Sequence, residues 1–361
     1  MKTFQHYLIT LTFSASFLIV NGQEVIESSY NAKTKPDPEI TYSHYKWTTS
    51  LIDEHSYILF PPFFDYKYNN FQWLPGEGRK SIIEAKISGV FDICSTGMYN
   101  KERVAKNHFK IAIAGSVNLR LTSEPGLTSP SIPPSNKIGL RIDYGKTGAR
   151  AEGETFVLGH RLDIMHYSNG QAEKNYIDSL NRYNYANADF STNYLRYTLF
   201  GATIITTRYD SVSQTLSKRD KKIIESTRYA AAYLFFQADG RAPGGLGDVF
   251  DYLPNDGNYG HWRTGMGFRF PISIMAKGFK KPLLFTVSSN LEYVFVNTVA
   301  DIPVLSGTHK LIWHPYRVPW GIMAFYHHGR DYMNIRYLMP AQIFGVGIHL
   351  QNFLFGNRLL D

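Results

Sequence analysis

Hydrophobic and polar residues alternate with a period of two through much of the chain. The alternation is clearest over residues 83–93 and 108–121, where most residues at every second position are apolar and most of the residues between are charged or polar. Successive side chains of a β-strand point to opposite faces, so each segment predicts a strand with one apolar and one polar face. The two apolar rows are Ile83, Ala85, Ile87, Phe91 and Ile93, and Phe109, Ile111, Ile113, Val117, Leu119 and Leu121.

Further segments of this kind predict strands near 55–61, 137–145, 155–168, 190–206, 222–238, 259–273, 282–296, 318–329 and 342–353. Together with the first two, these make eleven strands. Bacterial membrane barrels normally use an even number. The sequence therefore predicts twelve, with the missing strand near Leu311. The turn-rich segments 122–136, 170–189 and 239–258 predict long loops.

The composition favours a membrane barrel over a soluble β-sandwich, which stays open as an alternative. Aromatic residues make up 15% of the chain, with 25 Tyr and 24 Phe. Long strands with aromatic-studded apolar rows are typical of transmembrane barrels, which place aromatic girdles at both membrane interfaces. The predicted fold class is therefore all-β, a transmembrane antiparallel up-and-down β-barrel of 12 strands.

The N-terminus has the features of a secretory signal peptide. Lys2 and His6 precede an apolar stretch from Leu8 to Val20, and the small residue Gly22 follows. The stretch is shorter than the ~20 residues that a membrane-spanning helix needs. We therefore expect a signal peptide over 1–22, an N-terminal extension over 23–50 and the barrel domain over 51–361, exported to the bacterial outer membrane.

Charge and cysteine content narrow the function classes. The formal net charge of +8 suits an anionic surface, either nucleic acid or lipid headgroups. Export favours lipid, so we expect a membrane-embedded protein with no nucleic-acid partner. The single cysteine, Cys94, excludes an intramolecular disulfide and a thiolate metal cluster. His327 and His328 are adjacent, so a strand there would place them on opposite faces.

One predicted strand ends with polar residues on its apolar face. His166 and Ser168 share the parity of Leu162 and Ile164, so they project from the outer wall of a barrel. Asn193 lies on the apolar row of the next strand, at the end beside them. A serine nucleophile needs a base in reach and a group that orients the base, so the three residue types fit a catalytic triad. The alternative for each is an ordinary polar residue at a strand end.

The motifs around these residues resemble the outer membrane phospholipase A family. The run His166-Tyr-Ser168-Asn169-Gly170 is similar to its His-x-Ser-Asn-Gly motif, and Ser191-Thr-Asn193-Tyr-Leu195 to its Ser-Trp-Asn-Arg-Leu motif. Residues 121–130 resemble its serine-rich loop, and residues 345–355 its closing strand. Departures are Gln171 for the family's Arg, Thr192 for its Trp and Tyr194 for its Arg.

The resemblance implies a twelve-stranded barrel that hydrolyses acyl esters of phospholipids in the outer leaflet, with Ca²⁺ as cofactor and a homodimer as the active form. Ser168 would be the nucleophile, His166 the general base and Asn193 the residue that orients the base. The backbone amide of Gly170 would stabilise the oxyanion. The implied calcium ligands are Ser129 from the partner subunit, Gln171 and Asp189.

Two other functions stay open. A lipid A deacylating barrel also carries a His-x-Ser-Asn stretch on an outward face, and an acidic residue (Glu173, Asp178 or Asp189) would complete its triad. A transport or structural barrel without catalysis would explain inward charges as a pore lining or as pairs that fill the lumen. Those charges are Lys86, Asp92, Lys110 and Arg120.

Overall fold

A computed structural model describes the strands and a few flanking residues. The described ranges are 56–65, 80–99, 105–123, 134–151, 154–168, 176–177, 182–183, 191–210, 223–240, 260–274, 283–295, 304–315, 320–331 and 340–350. The chain divides into Met1–Pro36 and Asp37–Asp361, and every described residue belongs to the second unit. Over the described residues, no helix has the length and hydropathy to cross a membrane. The predicted signal peptide and N-terminal extension lie outside the described ranges.

The described residues form fourteen strands, and all but β6 and β7 are 10 to 20 residues long. They are β1 (Ser56–Asp65), β2 (Lys80–Tyr99), β3 (Ala105–Ser123), β4 (Pro134–Ala151), β5 (Glu154–Ser168), β6 (Tyr176–Ile177), β7 (Arg182–Tyr183), β8 (Ser191–Asp210), β9 (Ile223–Asp239), β10 (Trp262–Ile274), β11 (Leu283–Phe295), β12 (Leu305–His314), β13 (Trp320–Arg330) and β14 (Pro340–Leu350).

Twelve of these strands form a closed antiparallel barrel, which confirms the predicted fold class. Each barrel strand pairs with the next along the chain, and β1 pairs with β14 to close the sheet. All eleven predicted strands are present, and the twelfth is β12, which contains Leu311. The predicted loop 122–136 is too long at its end, because β4 begins at Pro134. A proline is tolerated at the first position of a strand. The short hairpin β6–β7 lies within the predicted loop 170–189.

The outer wall of the barrel is apolar, as a surface in contact with lipid must be. Large apolar side chains are exposed on every side of the closed sheet. They include Ile87, Phe91, Ile113, Ile138, Leu158, Tyr197, Leu234, Phe236, Trp262, Phe295, Leu311, Ile322, Phe344 and Val346. The alternation in the sequence therefore places apolar side chains outward and polar side chains in the lumen.

Ion pairs fill much of the lumen. Arg120 is buried between Glu84 (Nε–Oε1 2.6 Å) and Asp331 (Nη1–Oδ2 2.7 Å). Lys110 lies 3.6 Å from Asp92 and 3.4 Å from Asp143. A cavity beside Ser88, Ala114, Arg141 and Met165 has a volume of about 10 Å³, which is room for about one water. The inward charges at 92, 110 and 120 therefore lie in paired clusters, which favours a filled lumen over a pore lining.

The two ends of the barrel differ in their connections. The chain leaves β5 and β9 through residues 169–190 and 240–261, whereas 100–104 and 152–153 are the short connections at the opposite end. Outer-membrane barrels have short periplasmic turns and longer extracellular loops. The C-terminal end of β5 and the N-terminal end of β8 therefore lie at the loop-rich, external end.

Candidate active site

His166 and Asn193 are direct neighbours on the outer wall. The register of β5 and β8 pairs His166 with Asn193, and both side chains are half-buried. Nδ1 of His166 and Oδ1 of Asn193 are 3.0 Å apart. When Nδ1–H donates to the Asn193 carbonyl oxygen, the lone pair of the imidazole is on Nε2, the atom that a general base uses.

Ser168 lies one row closer to the external end. The register pairs it with Asn136 on β4 and with Ser191 on β8, so three polar residues form a row across three strands. Ser168 is two residues from His166, and alternate strand residues share a face, with their Cα atoms ~6–7 Å apart. The strands therefore bring together the three residues that the sequence analysis singled out. We call Asn136, His166, Ser168, Ser191 and Asn193 the serine patch.

The serine patch has a sharp boundary toward the middle of the barrel. The next row consists of Leu140, Ile164 and Leu195, which are apolar and outward. The row that contains His166 and Asn193 has the exposed Ile138 as its third member. The serine patch therefore occupies the last two rows of β4, β5 and β8 and borders on apolar side chains.

The lumen side of the same strand ends is held by hydrogen bonds and packing. Ser135 donates to the Tyr167 hydroxyl over 3.2 Å and accepts from Asn118 over 3.1 Å. Tyr194 is buried against Met165. These contacts stabilise the register, and a shift of one residue would move His166 and Ser168 into the lumen.

Two departures from the family motif lie on this lumen side. Thr192 and Tyr194 have the opposite parity to Asn193, and both are buried. Neither is part of the serine patch. The outward residues His166, Ser168 and Asn193 lie on the opposite face of the strands from these two side chains.

The predicted oxyanion and calcium residues lie outside the described ranges. They are Gly170, Ser129, Gln171 and Asp189, and the acidic candidates Glu173 and Asp178 are outside as well. In the described part of the chain, no group of three or more His, Cys, Asp or Glu side chains is placed to hold a metal ion.

Asn136 is a member of the serine patch that the sequence pattern did not predict. Its amide side chain is exposed beside Ser168. Residues directly opposite in an antiparallel pair have Cβ atoms ~4.5–5.5 Å apart, so the two side chains are neighbours. The signal was present, because Asn136 has the parity of the apolar row Ile138, Leu140 and Ile142. The predicted strand 137–145 begins one residue later and therefore leaves Asn136 out.

A second polar pair lies on the same two strands, farther from the loop-rich end. His160 Nδ1 and the Tyr197 hydroxyl are 2.5 Å apart, and both side chains are exposed. Leu162 and Ile164 separate His160 from His166 along the outward row of β5. A histidine–tyrosine pair at this depth fits the aromatic girdle of the other interface.

No family model matches the sequence, and no curated protein matches it. Two solved structures are similar. Outer membrane phospholipase A from Escherichia coli has 13% sequence identity, with 83% of this chain and 90% of that chain covered and a TM-score of 0.45. An active-site mutant of the same protein also has 13% identity, with 91% and 95% covered and a TM-score of 0.44. At this identity and TM-score, any assignment of activity has to come from the geometry of the serine patch.

Proposed function

We propose that the protein is an outer-membrane phospholipase that hydrolyses acyl esters of phospholipids by a Ser168–His166–Asn193 triad. The observation that carries the proposal is the His166–Asn193 contact of 3.0 Å on the lipid-facing wall, in the row next to Ser168. Polar side chains on a surface that faces lipid are costly and are typical of functional sites. The family resemblance of the two motifs supports the same assignment.

The chemistry follows from the three side chains. His166 takes the Ser168 hydroxyl proton on Nε2 while Oγ attacks the ester carbonyl carbon, and Asn193 keeps the imidazole in the required tautomer. Collapse of the tetrahedral intermediate expels the lysolipid alkoxide, which receives that proton from His166. Water then attacks the acyl-enzyme by the same route, releases the fatty acid and restores the Ser168 hydroxyl.

Asparagine suits this position better than a carboxylate does. Its side-chain carbonyl accepts the Nδ1 hydrogen bond without placing a negative charge beside lipid. The lipid A deacylase alternative needs an acidic residue in this role, and the contact from His166 to Asn193 favours the amide. Asn193 therefore orients the base by a neutral hydrogen bond.

The oxyanion needs donors aimed at the developing charge. The Gly170 backbone amide is the donor that the resemblance implies, and the exposed amide of Asn136 beside Ser168 adds a side-chain NH₂. Each well-placed donor is worth ~3–4 kcal/mol in other acyl-transfer enzymes. Asn136 therefore enters the proposal as an additional oxyanion donor.

The location of the serine patch determines how substrate reaches it. Ser168 faces outward at the loop-rich end, and ion pairs fill much of the lumen. A phospholipid of the outer leaflet would approach laterally, with its ester groups near the two polar rows. The apolar side chains below, Ile138 and Leu140 among them, would contact its acyl chain.

Calcium dependence and dimerisation are part of the proposal. The implied ligands Ser129, Gln171 and Asp189 offer hydroxyl, carbonyl and carboxylate oxygens, a donor set that suits Ca²⁺. When bound, the ion would add positive charge near the oxyanion. A ligand contributed by the partner subunit would make activity depend on the homodimer.

The test is fatty-acid release from mixed detergent–phospholipid micelles, measured for refolded wild type and Ser168→Ala with calcium or with chelator. We expect release that needs both Ser168 and calcium. Serine-dependent release that ignores the chelator would remove calcium from the proposal and favour the lipid A deacylase alternative. A folded, heat-modifiable wild type that releases nothing, or equal release by Ser168→Ala, contradicts the proposed activity.

A further inference from the structure

A second group of polar side chains lies on the outer wall of β11–β14. We call it the imidazole patch, and its members are Ser289, His309, Tyr326, His328 and Gln342. The register places them on the same outward face of the sheet as the exposed Leu311 and Phe344. His327, the neighbour of His328, is buried on the lumen side and bonds to Thr308, so the two histidines lie on opposite faces as predicted.

Hydrogen bonds and ring stacking hold the imidazole patch in one arrangement. Ser289 Oγ lies 2.9 Å from His309 Nδ1, and Gln342 donates to the Tyr326 hydroxyl over 3.1 Å. The ring of His309 stacks on His328 with centroids 5.7 Å apart and on Tyr326 with centroids 6.0 Å apart. The three rings therefore form one rigid surface toward lipid.

Gly307 has no side chain, and the rings of both histidines pack against it. A Cβ at this position would lie 3.0 Å from Nε2 of His328 and 3.1 Å from Nε2 of His309, so the two nitrogens face the same point. Cε1 of His328 is nearer still to the same Cβ position, so the His328 ring takes up the room that a side chain at 307 would need. Nδ1 of His328 is buried and has no hydrogen-bond partner among the described residues.

The imidazole patch lies near the loop-rich end and away from Ser168. His328 is two residues before the end of β13, and Gln342 is two residues after the start of β14. Strands β9 and β10 separate it from β8 on one side, and β1–β4 separate it from β5 on the other. Its depth corresponds to the headgroup and glycerol layer of the outer leaflet.

We propose that the imidazole patch binds the phosphate group of an outer-leaflet lipid. Two hydroxyls, two imidazoles and an amide supply hydrogen-bond donors, and the patch contains no carboxylate that would repel an anion. Imidazole can also take up a proton beside a phosphate. The occupant is a lipid because exposed apolar side chains flank the patch, and acyl chains are what such side chains contact in a membrane.

The test measures retention of a non-hydrolysable diether phospholipid by native mass spectrometry of the refolded barrel. The variants are His309→Ala/His328→Ala and Gly307→Ala, whose methyl group would displace the His328 ring. His160→Ala is the matched control on the same outer wall. Loss of the hydrogen bonds from both imidazoles should weaken retention about tenfold. We expect that loss in the double variant and in Gly307→Ala, with His160→Ala like wild type.

Two further probes identify the ligand chemistry. A dialkylglycerol without phosphate should not be retained, and inorganic phosphate alone should not bind at the concentrations that the lipid needs. Equal retention of the neutral lipid would reduce the patch to an aromatic girdle, and binding of free phosphate would contradict a lipid site. Because the probe lipid is not hydrolysed, the outcome is independent of the proposed hydrolase activity. Heat-modifiable migration verifies that each variant is folded.

Discussion

The lumen and the outer wall of this barrel use polar groups in different ways. In the lumen, full charges are buried and paired, as Arg120 is between Glu84 and Asp331. On the outer wall, the serine and imidazole patches contain only Ser, Asn, His, Tyr and Gln, with no carboxylate, lysine or arginine. Pairing makes the lumen charges part of the fold, whereas the polar side chains on the wall point toward whatever lies beside the protein. The comparison separates residues for stability from residues for function.

The sharpest test of the lumen is the variant Arg120→Ala. It leaves Glu84 and Asp331 buried without their shared cation, and removal of one partner from a buried pair costs about 3–5 kcal/mol. We expect a loss of this size in the free energy of unfolding, measured by urea titration in lipid vesicles. The fraction that remains folded should hydrolyse substrate at the wild-type rate. A stable variant with reduced turnover would contradict the division between lumen and wall.

On the outer wall, Asn193→Ala should lower the turnover rate and leave stability nearly unchanged, the reverse of the effect expected for Arg120→Ala. Without the hydrogen bond to Nδ1, His166 loses its preferred tautomer and orientation, and we expect kcat to fall on the order of 10²-fold. The urea midpoint should change little, because Asn193 is half-buried on the outer face. His160→Ala, which removes an outward histidine of the same strand, serves as the control. A large loss of stability in Asn193→Ala with normal kcat would assign the contact to the fold.

Asn136→Ala should give the smallest effect. An exposed amide at the strand end is a weaker oxyanion donor than a fixed backbone amide, so we expect about a tenfold fall in kcat with KM unchanged, or ~1.4 kcal/mol. Initial rates measured over a range of substrate concentrations up to saturation separate kcat from KM. Asn136→Gln should restore part of the rate if the amide donates to the oxyanion. A change confined to KM would instead make Asn136 a binding residue.

The alternation of inward and outward positions along each strand explains which features of the site were predictable from the sequence. Lipid outside and charge inside impose a strict alternation, and this places His166, Ser168 and Asn193 on one face before any contact is known. The twelfth strand was harder, because Gly307 and His309 interrupt its apolar row. His309 is a member of the imidazole patch, and Gly307 lies beside it. A polar site on the wall therefore weakens the sequence pattern that identifies its strand.

The remaining features depend on register, which the sequence does not specify by itself. Asn136 is beside Ser168 only because β4 and β5 pair as they do. The imidazole patch combines residues from four strands, and no spacing along the chain links Ser289 to Gln342. Cross-strand neighbours of this kind follow from the strand pairing of the folded sheet.

The pairing of β5 with β8 has a consequence for the polypeptide before the barrel has formed. His166 and Asn193 come into contact only when these strands align residue by residue, and between them runs the segment 169–190. An unassembled polypeptide on its way through the periplasm has the three side chains but not their arrangement. For the hydrolase proposed here, the triad would not exist before the barrel forms, and the membranes that the chain passes on the way would be spared without an inhibitor or a propeptide.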